Sequence, residues 1–449
     1  MEQRLPQPGC WPQIASDLVS FAEAVASVTA QATAILAGQS AESQECDLSD
    51  ALGRVLAHSI SASRDQPPFD RVTRDGYAVR SRDFIAGVPL RVVGQLRAGE
   101  PWATRPPLLP GEAIEVMTGA ALPLGADAVV MVEHVEEAAS HPAGRAGDRA
   151  MDRSIVARSE RPLRPGENVI PCGSEARCGN ILLEPGTRLR PEEIALAATC
   201  GLRSVPVCPA PRVAILATGD ELVEAGNSVA AADTNLEPHQ IYDSNSHSLA
   251  ALVRQNNAIP VRLHAAPDRR QDLAASFQQG LQAAPLLLVS GGVSMGRYDL
   301  VEDVLASLGA EFFFTGVRMQ PGKPVVFGRV PAAEDRPPRF FFGLPGNPIS
   351  TMITFRALVQ PLLAALAGQR DWQPQIILAI LSSDVPCKPG LTRFLAAHLD
   401  TRPSNPTVTA ISTQGSGDLA GHARANCFLI VPEDCERLQA GNAVRVLLQ

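Results

Sequence analysis

The chain has 449 residues, 45% of them hydrophobic and 19% charged, so it is too long for one ordinary domain and carries enough apolar material for several cores. Its formal net charge is −8, and no block rich in lysine or arginine occurs, which argues against a nucleic-acid partner. Nine cysteines without a C-x-x-C pair and eight histidines without an H-E-x-x-H pattern argue against a disulfide scaffold and against a zinc enzyme.

Targeting and membrane signals are missing from the sequence. The first residues lack the charged, apolar and small-residue order of a signal peptide. Apolar runs such as Pro285–Val289 are far shorter than a membrane span. We therefore expect a cytoplasmic protein with reduced thiols and no membrane partner.

The first predicted elements are helices within an N-terminal segment over residues 15–61. An alanine-rich stretch without proline or glycine predicts a helix from Asp17 to about Leu36. Ser49 suits an N-cap and predicts a second, shorter helix that ends at His58.

Three further regions follow along the chain. Recurrent proline and glycine between short β-like runs, such as Ala126–Val132 and Ile181–Glu184, predict a small β-rich domain over 62–210. Strands then alternate with helices over 211–370, which predicts a three-layer α/β domain with a mainly parallel sheet. Short β runs return over 375–449 and predict a separate β module. The fold class is therefore multidomain α/β plus β.

Three polar, glycine-rich loops follow predicted strands of the α/β domain, and ligands bind at the carboxyl ends of such strands. The loops are Ala217–Glu221, Ser290–Gly296 and Gly343–Ser350. In the third loop, Asn347 suits a helix N-cap and Pro348 the first helical position, which leaves N–H groups for a phosphate or oxyanion. We expect substrate to contact these positions: Ser290, Gly291, Gly292, Ser294, Pro345, Asn347 and Pro348. Any one loop alone is equally well read as an ordinary tight turn.

Carboxylates cluster near these loops in the sequence. Oxygen ligands beside oxyanion loops suit Mg²⁺ bridging to phosphate. Taken singly, each carboxylate is more often a helix cap or a surface charge. The candidates are Asp220, Glu221, Asp243, Asp268 and Asp299.

Neither familiar nucleotide-binding motif is present. Gly316–Lys323 resembles a Walker A loop but is one residue too long, and Pro324 stands where a serine or threonine must hold magnesium. Ser290–Gly296 lacks the G-x-G-x-x-G pattern. An ATPase or a dinucleotide-dependent dehydrogenase is therefore disfavoured.

Two segments of the β-rich region share a turn-then-strand form. Asp75 and Gly76 precede a strand-like Tyr77–Val79, and Thr118 lies in a turn before the run that contains Asp127. The residues alone indicate only structured turns that expose Asp75 and Thr118.

Together these segments resemble the molybdopterin molybdenumtransferase family, which includes the bacterial MoeA proteins and the gephyrin E domain. The resemblance runs from about residue 20 to the C-terminus and rests on six motifs in the family's order. They are PPFDRVTRDGYAVR, MTGAALPLGADAVVMVE, ATGDEL, QIYDSN, SGGVSMGRYD and GLPGNPIS.

The resemblance implies a dimerising N-terminal segment, an inserted-type β domain, an α/β domain of the molybdopterin-binding type and a C-terminal β-barrel-like domain. It also implies a homodimer whose active site combines the α/β domain of one subunit with the β domain of the other. The implied reaction is Mg²⁺-dependent: adenylylated molybdopterin and molybdate give the molybdenum cofactor and AMP. A molybdopterin adenylyltransferase is the expected partner.

Residue roles are carried over by motif. The resemblance implies that Asp75, Thr118, Glu221, Asp268 and Asp299 serve catalysis. Glu221 and Asp299 are assigned to the metal and phosphate neighbourhood. Asp220 and Asp243, which lie near the loops in the sequence, are further candidate metal ligands. Lys323 and Ser416 are better placed for the molybdate oxyanion.

Four positions depart from the family pattern: Glu175 for an aspartate, Gly316 and Gln320 for lysines, and Ala396 for an arginine. Losing three basic groups should weaken an anion site unless Arg71, Arg74 or Arg318 substitutes for them. Two alternatives therefore stay open: a scaffold that keeps the fold without insertion, and a molybdopterin adenylyltransferase.

Overall fold

A computed structural model describes residues 18–38, 42–101, 105–138, 153–225, 236–293, 300–332 and 337–449. These residues form two compact units. Unit 1 holds the described parts of 1–57, 185–190 and 206–449, and unit 2 holds those of 58–184 and 191–205. The short strand Ser204–Val207 runs across the division.

The α/β part of unit 1 is built on a six-stranded sheet. Its first four strands are parallel and its last two are antiparallel to their neighbours. In spatial order the strands are Ile259–Arg262, Arg212–Ala217, Leu286–Ser290, Arg339–Leu344, Val326–Val330 and Glu311–Thr315. A small parallel ribbon, Leu222–Val223 with Ile241–Tyr242, follows the first of the central loops.

Helices cover both faces of this sheet, as expected for a mainly parallel arrangement. The run Phe340–Phe342 shows the consequence, because all three rings are buried. Phe340 and Phe342 pack into one hydrophobic cluster and Phe341 into the other, on opposite faces of the sheet. The helices of this part are Asn245–Gln255, Arg270–Ala283, Leu300–Ser307, and Pro348–Thr354 continuing through a π-turn at Phe355–Val359 into Gln360–Leu366.

The predicted three-layer α/β architecture is therefore confirmed. The continuous helix Pro348–Leu366 is long and apolar enough to cross a membrane by composition alone, but 72% of its apolar window is buried inside the protein. Its residues belong to the main cluster of unit 1, so it serves as a core helix.

The C-terminal strands of unit 1 close into a barrel. Cys427–Val431 pairs with both Ala443–Leu448 and Thr392–Asp400, which completes a ring of five strands. The ring also contains Ile376–Leu381 and Thr407–Ala410. A separate pairing joins Val385–Pro386 to Arg437–Leu438, and a short helix spans Leu419–His422. The expected β-barrel-like C-terminal domain is confirmed.

Two short strands extend the barrel sheet. Val317–Gln320 pairs in parallel with Thr392–Asp400 on one side and with Val19–Ser20 on the other. The Val317–Gln320 strand leaves the α/β sheet immediately after Glu311–Thr315, so it carries the chain from one part of unit 1 to the other.

The N-terminal part of unit 1 contains one long helix, Phe21–Ala37. A capping box starts it: Glu23 N donates to Ser20 Oγ, and the Glu23 carboxylate accepts from Ser20 N. Gln44–Asp47 follows as a strand.

The predicted second helix from Ser49 to His58 is wrong. Only a 3₁₀ turn forms there, Leu48–Asp50, and Asp47 rather than Ser49 caps it. Gly53 then adopts φ +76°, a conformation that breaks a right-handed helix. The backbone beyond it bonds to Thr187, Leu189 and Pro206 of unit 1 instead of to itself.

Unit 2 is mostly β, with one helix at Pro191–Thr199. Its six-stranded sheet runs in the order Ala128–Met131, Gly76–Val79, Glu112–Val116, Leu90–Leu96, Ser154–Ala157 and Val135–Ala138. Separate hydrophobic clusters pack on its two faces. Shorter strands are Ile60–Ser61 with Ile181–Leu183 and Arg71–Val72 with Val169–Ile170, and 3₁₀ turns lie at Ser81–Asp83 and Val132–His134.

Candidate active site

The three polar loops meet at one edge of the parallel sheet, because the strands that precede them are neighbours in the sheet. Backbone hydrogen bonds join each loop to the next. Thr218 N donates to Ser290 O at 2.9 Å, and Gly291 N donates to Leu344 O at 3.0 Å. We call this region the sheet-edge site.

Glycine is required in the second loop by close backbone approach. At Gly291, φ is +97° and an added Cβ would lie 2.6 Å from the carbonyl oxygen of Thr218. Gly292 has φ +64°, and its Cβ would lie 2.8 Å from Val301 Cγ2. Close packing against Thr218 and Val301 therefore excludes side chains at these two positions. Ser294 and Asp299, which the sequence also places here, lie outside the described residues.

Asn245 ties the second and third loops together. Its Nδ2 donates both to Ser290 Oγ at 2.8 Å and to the carbonyl oxygen of Gly346 at 2.7 Å. Ser290 is 2% exposed, and its buried hydroxyl oxygen accepts the hydrogen bond from Asn245.

Two buried polar atoms at the sheet-edge site have no hydrogen-bond partner among the described residues: Thr218 Oγ1 and Asn245 Oδ1. A buried polar atom left unpaired costs about 1–3 kcal/mol, so such atoms mark places that a ligand or water completes. Both residues lie in the motifs ATGDEL and QIYDSN, but the sequence analysis did not single them out.

The carboxylates fall into two groups. Asp220 and Glu221 are exposed at the end of the first loop, and the backbone N–H of Asp268 donates to Asp220 Oδ1 at 3.4 Å. Asp243 is 4% exposed, and its Oδ1 accepts the N–H of Ser246 at 2.9 Å, which caps the helix Asn245–Gln255. Asp220, Glu221 and Asp268 are thus the described carboxylates that face solvent at this edge.

The third loop starts a helix as expected, with Asn347 at the N-cap and Pro348 at the first position. The Asn347 side chain makes no capping hydrogen bond. The N–H of Ile349 is taken by the carbonyl oxygen of Ser416 at 3.2 Å. One predicted anion donor is therefore already engaged, and that bond brings Ser416 next to the same loop.

Beyond this loop lies a cleft of about 470 Å³ within unit 1, which we call the Lys323 cleft. Its walls come from the turn after Val317–Gln320, the strand Thr392–Asp400 and the segment before the short C-terminal helix. The polar side chains that line it are Gln320, Lys323, Ser350, Arg393, Thr413, Ser416 and His422. Lys323 and Ser416, the pair assigned to an oxyanion from the sequence, share this cleft.

Asp75 and Thr118 meet in unit 2. Asp75 Oδ1 accepts two hydrogen bonds, from Thr118 N at 2.7 Å and from Thr118 Oγ1 at 2.9 Å. Both bonds favour the ionised carboxylate and lower the pKa of Asp75, the backbone bond most. The two residues are exposed, so the pair presents a fixed negative charge to solvent.

Comparison with known proteins covers nearly the whole chain. A family model described as "MoeA N-terminal region (domain I and II)" matches residues 19–201, one described as "Probable molybdopterin binding domain" matches 214–365, and one described as "MoeA C-terminal region (domain IV)" matches 379–449. The Haemophilus influenzae protein named molybdopterin molybdenumtransferase is 31% identical over 407 residues, 90% of this chain and 93% of that protein. The chain belongs to the molybdopterin molybdenumtransferase family.

Further relatives of this family agree. The Bacillus subtilis protein of the same name is 31% identical over 412 residues, 91% of this chain and 90% of that protein. The crystal structure of a molybdopterin biosynthesis MoeA protein from Pyrococcus horikoshii OT3 is 28% identical, with a TM-score of 0.75 over 96% of this chain and 100% of that one.

Two of the four departures from the family pattern, Gln320 and Ala396, line the Lys323 cleft. Gly316 is not among its lining residues and lies between the strands Glu311–Thr315 and Val317–Gln320. In unit 2, Glu175 forms an exposed ion pair with Arg71 at 2.8 Å.

Arg71 and Arg318, two of the basic residues named as possible substitutes, already have partners. Arg71 is paired with Glu175 in unit 2. Arg318 donates from Nε to Glu433 at 2.6 Å and from Nη1 to the carbonyl oxygen of Leu18 at 2.7 Å. Arg74 is an exposed residue of unit 2. Arg393 is a further basic residue that the sequence offered no reason to single out, because it belongs to none of the six motifs, yet it lies in the cleft itself.

Proposed function

We propose that this protein inserts molybdate into adenylylated molybdopterin with release of AMP, as a cytoplasmic homodimer. Membership of the family supports a transferase in molybdenum cofactor biosynthesis. One observation carries the finer proposal: the sheet-edge site and the Lys323 cleft flank the same loop, joined to it through Asn245 and Ser416. A phosphate-bearing pterin in the sheet-edge site and a small oxyanion in the Lys323 cleft would then bind next to each other.

The sheet-edge site suits the phosphate-bearing substrate. The second loop has glycine at two successive positions, Gly291 and Gly292. Pro345, Asn347 and Pro348 form the loop at the start of a helix, where the dipole favours negative charge. Thr218 Oγ1 and Asn245 Oδ1 supply one hydroxyl and one acceptor that have no hydrogen-bond partner among the described residues. A molybdopterin adenylyltransferase would supply this substrate.

Mg²⁺ fits this site as an ion shared with the substrate. Among the described residues, no group of three His, Cys, Asp or Glu side chains is close enough to hold a metal. Mg²⁺ needs no such cage, because it usually binds through one or two carboxylates together with substrate phosphates and water. Asp220 and Glu221 are the exposed pair that would hold it, whereas Asp243 is committed to its helix. When bound, the ion would neutralise phosphate charge.

The Lys323 cleft suits molybdate. A tetrahedral dianion needs compact positive charge and hydroxyl donors, and Lys323 with Ser416 supplies both. Pro321 and Pro324 flank Lys323 in a turn that limits where its ammonium points. The role of these groups is to place molybdate next to the pterin sulfurs and to offset its charge.

Asp75 and Thr118 are proposed to act in the sheet-edge site of a second copy of the chain. We propose that the partner subunit contributes this pair to the sheet-edge site, which would then bring a fixed carboxylate to the reacting substrate. In this role Thr118 is a positioning residue, because it holds the Asp75 carboxylate ionised and in one orientation.

The decisive experiment supplies purified protein with adenylylated molybdopterin, molybdate and Mg²⁺, and measures AMP release and reconstitution of an apo-molybdoenzyme. We expect both, and we expect omission of molybdate to abolish reconstitution. Adenylylation of unmodified molybdopterin from ATP would indicate an adenylyltransferase instead. Neither AMP nor cofactor, from a folded dimer, would indicate a scaffold.

A further inference from the structure

The electrostatics of the Lys323 cleft rest on more than one cation. Among its described lining residues there are Lys323, Arg393 and His422, and no aspartate or glutamate. A cleft lined only by basic and neutral groups concentrates anions, and a dianion is held better by two positive charges than by one.

The fold brings Arg393 to this cleft through strand pairing. Gln320 and Arg393 are direct partners in the parallel pairing of Val317–Gln320 with Thr392–Asp400. Their side chains therefore lie side by side, and Arg393 Nη1 donates to Gln320 Oε1. On its other side Arg393 donates from Nε and Nη2 to the carbonyl oxygen of Lys388, at 3.2 and 2.9 Å.

These contacts fix the guanidinium without neutralising it. All of its described partners are uncharged oxygens, whereas Arg318, two residues before Gln320, is neutralised by Glu433. A guanidinium carries five N–H groups, and the three hydrogen bonds of Arg393 leave one N–H on each terminal nitrogen. Among the described residues, Arg393 is thus a positioned cation that has no acidic partner and keeps two free N–H donors.

We propose that Arg393 is a second cationic ligand of the oxyanion in the Lys323 cleft and that Gln320 is its positioning residue. The inference rests on the proposed function and adds an oxyanion-binding residue to it. A neutral glutamine at position 320 is then no simple loss of charge, because its carboxamide oxygen orients a guanidinium that a lysine there would repel.

The test compares Arg393→Gln with the matched variant Arg445→Gln. Arg445 is an exposed arginine on the barrel strand Ala443–Leu448 and does not line the cleft. Binding of labelled molybdate is measured by equilibrium dialysis, and the molybdate dependence of cofactor formation gives KM and kcat separately. We expect Arg393→Gln to raise both the Kd and the KM for molybdate at least about tenfold with little change in kcat. Arg445→Gln should match the wild type.

Two further variants separate positioning from folding. Arg393→Lys keeps the charge and should recover part of the affinity. Gln320→Leu keeps Arg393 but removes its acceptor, and should weaken molybdate binding about threefold, less than loss of the charge itself. Equal molybdate affinity in Arg393→Gln and wild type would overturn the inference while leaving the proposed function intact. A wild-type protein that neither binds molybdate nor forms cofactor would overturn both.

Discussion

The sheet-edge site and the Lys323 cleft adjoin the same loop but are built in different ways. The sheet-edge site is made of backbone: three loops joined by main-chain hydrogen bonds, with glycine where a side chain would collide. The Lys323 cleft is made of side chains from segments about 70 to 90 residues apart in the chain, which strand pairing brings together. Activity should therefore be sensitive to added atoms at the sheet-edge site, and to the kind of charged side chain in the Lys323 cleft.

The largest expected effect is at the sheet-edge site. Gly291→Ala forces a Cβ to within 2.6 Å of the Thr218 carbonyl oxygen at a residue with φ +97°, so the loop must move. We expect cofactor formation to fall at least about 100-fold, with a loss of stability of about 1–3 kcal/mol. Urea unfolding and the insertion assay measure the two effects.

Gly309→Ala is the matched control. Gly309 also has positive φ, +81°, but nothing lies within 4 Å of its added Cβ. It should lose about 1 kcal/mol or somewhat more from backbone conformation alone and keep its activity at temperatures where it is folded. Equal activity of the two variants would show that the sheet-edge site does not depend on its backbone shape.

A second copy of the chain should be needed to complete the sheet-edge site. Asp75→Asn and Glu221→Gln chains should each be nearly inactive, since each lacks one carboxylate of the proposed composite site. Mixed and allowed to exchange subunits, they should regain about a quarter of wild-type activity, because half of the dimers are hybrids with one intact site. Full activity in a protein that light scattering shows to be monomeric would rule the composite site out.

Molybdate binding in the Lys323 cleft should instead depend on which kind of cationic side chain stands at position 323. Lys323 and Lys388 are the only lysines among 39 basic residues, which suggests that a lysine is retained where arginine will not serve. An ammonium is a compact point charge, while a guanidinium is larger and splits its donors. Lys323→Arg should keep the fold and raise the molybdate concentration needed for insertion about tenfold, or about 1.4 kcal/mol.

Lys388→Arg is the control for that change, because only its backbone carbonyl has a described role, as acceptor for Arg393. It should leave the molybdate dependence as in the wild type. An unchanged dependence in Lys323→Arg would remove the special role of the ammonium and leave the cleft's total charge as the relevant quantity.

The difference between the two sites also explains what the sequence could predict. The loops after Ala217, Ser290 and Leu344 follow strands directly, so hydrophobic periodicity placed them at one edge of the sheet. Arg393 carried no such signal, because its partner Gln320 is 73 residues away and their pairing depends on where the Val317–Gln320 strand leaves the α/β sheet.

The same distinction between local patterns and tertiary contacts explains why the second predicted helix was wrong. The helix predicted at Ser49–His58 failed because the backbone beyond Gly53 bonds to residues more than 130 positions away. Asp243, a candidate metal ligand in the sequence, also caps the helix that starts at Asn245, a contact that the sequence did not predict. Local patterns identified elements and motifs, whereas the partner of each polar group depended on tertiary contacts.

The smallest expected effect concerns the Asp75–Thr118 pair, where the charge is held by one backbone and one side-chain donor. Because these bonds lower the pKa of Asp75 in the folded protein, its ionised form stabilises the fold above the ordinary aspartate pKa of about 3.9, and that contribution disappears as pH falls through the lower folded value.

Asp75→Asn keeps an acceptor for Thr118 but cannot titrate. Its melting temperature should therefore fall less steeply than that of the wild type between about pH 5 and pH 3. Thr118→Val, which keeps the N–H donor and loses the hydroxyl, should lie between the two. Glu133→Gln is the control, since Glu133 is an exposed carboxylate of the same unit with no described hydrogen bond, and its curve should run parallel to the wild type. Parallel curves for Asp75→Asn and wild type would mean that Thr118 orients Asp75 without stabilising its charge.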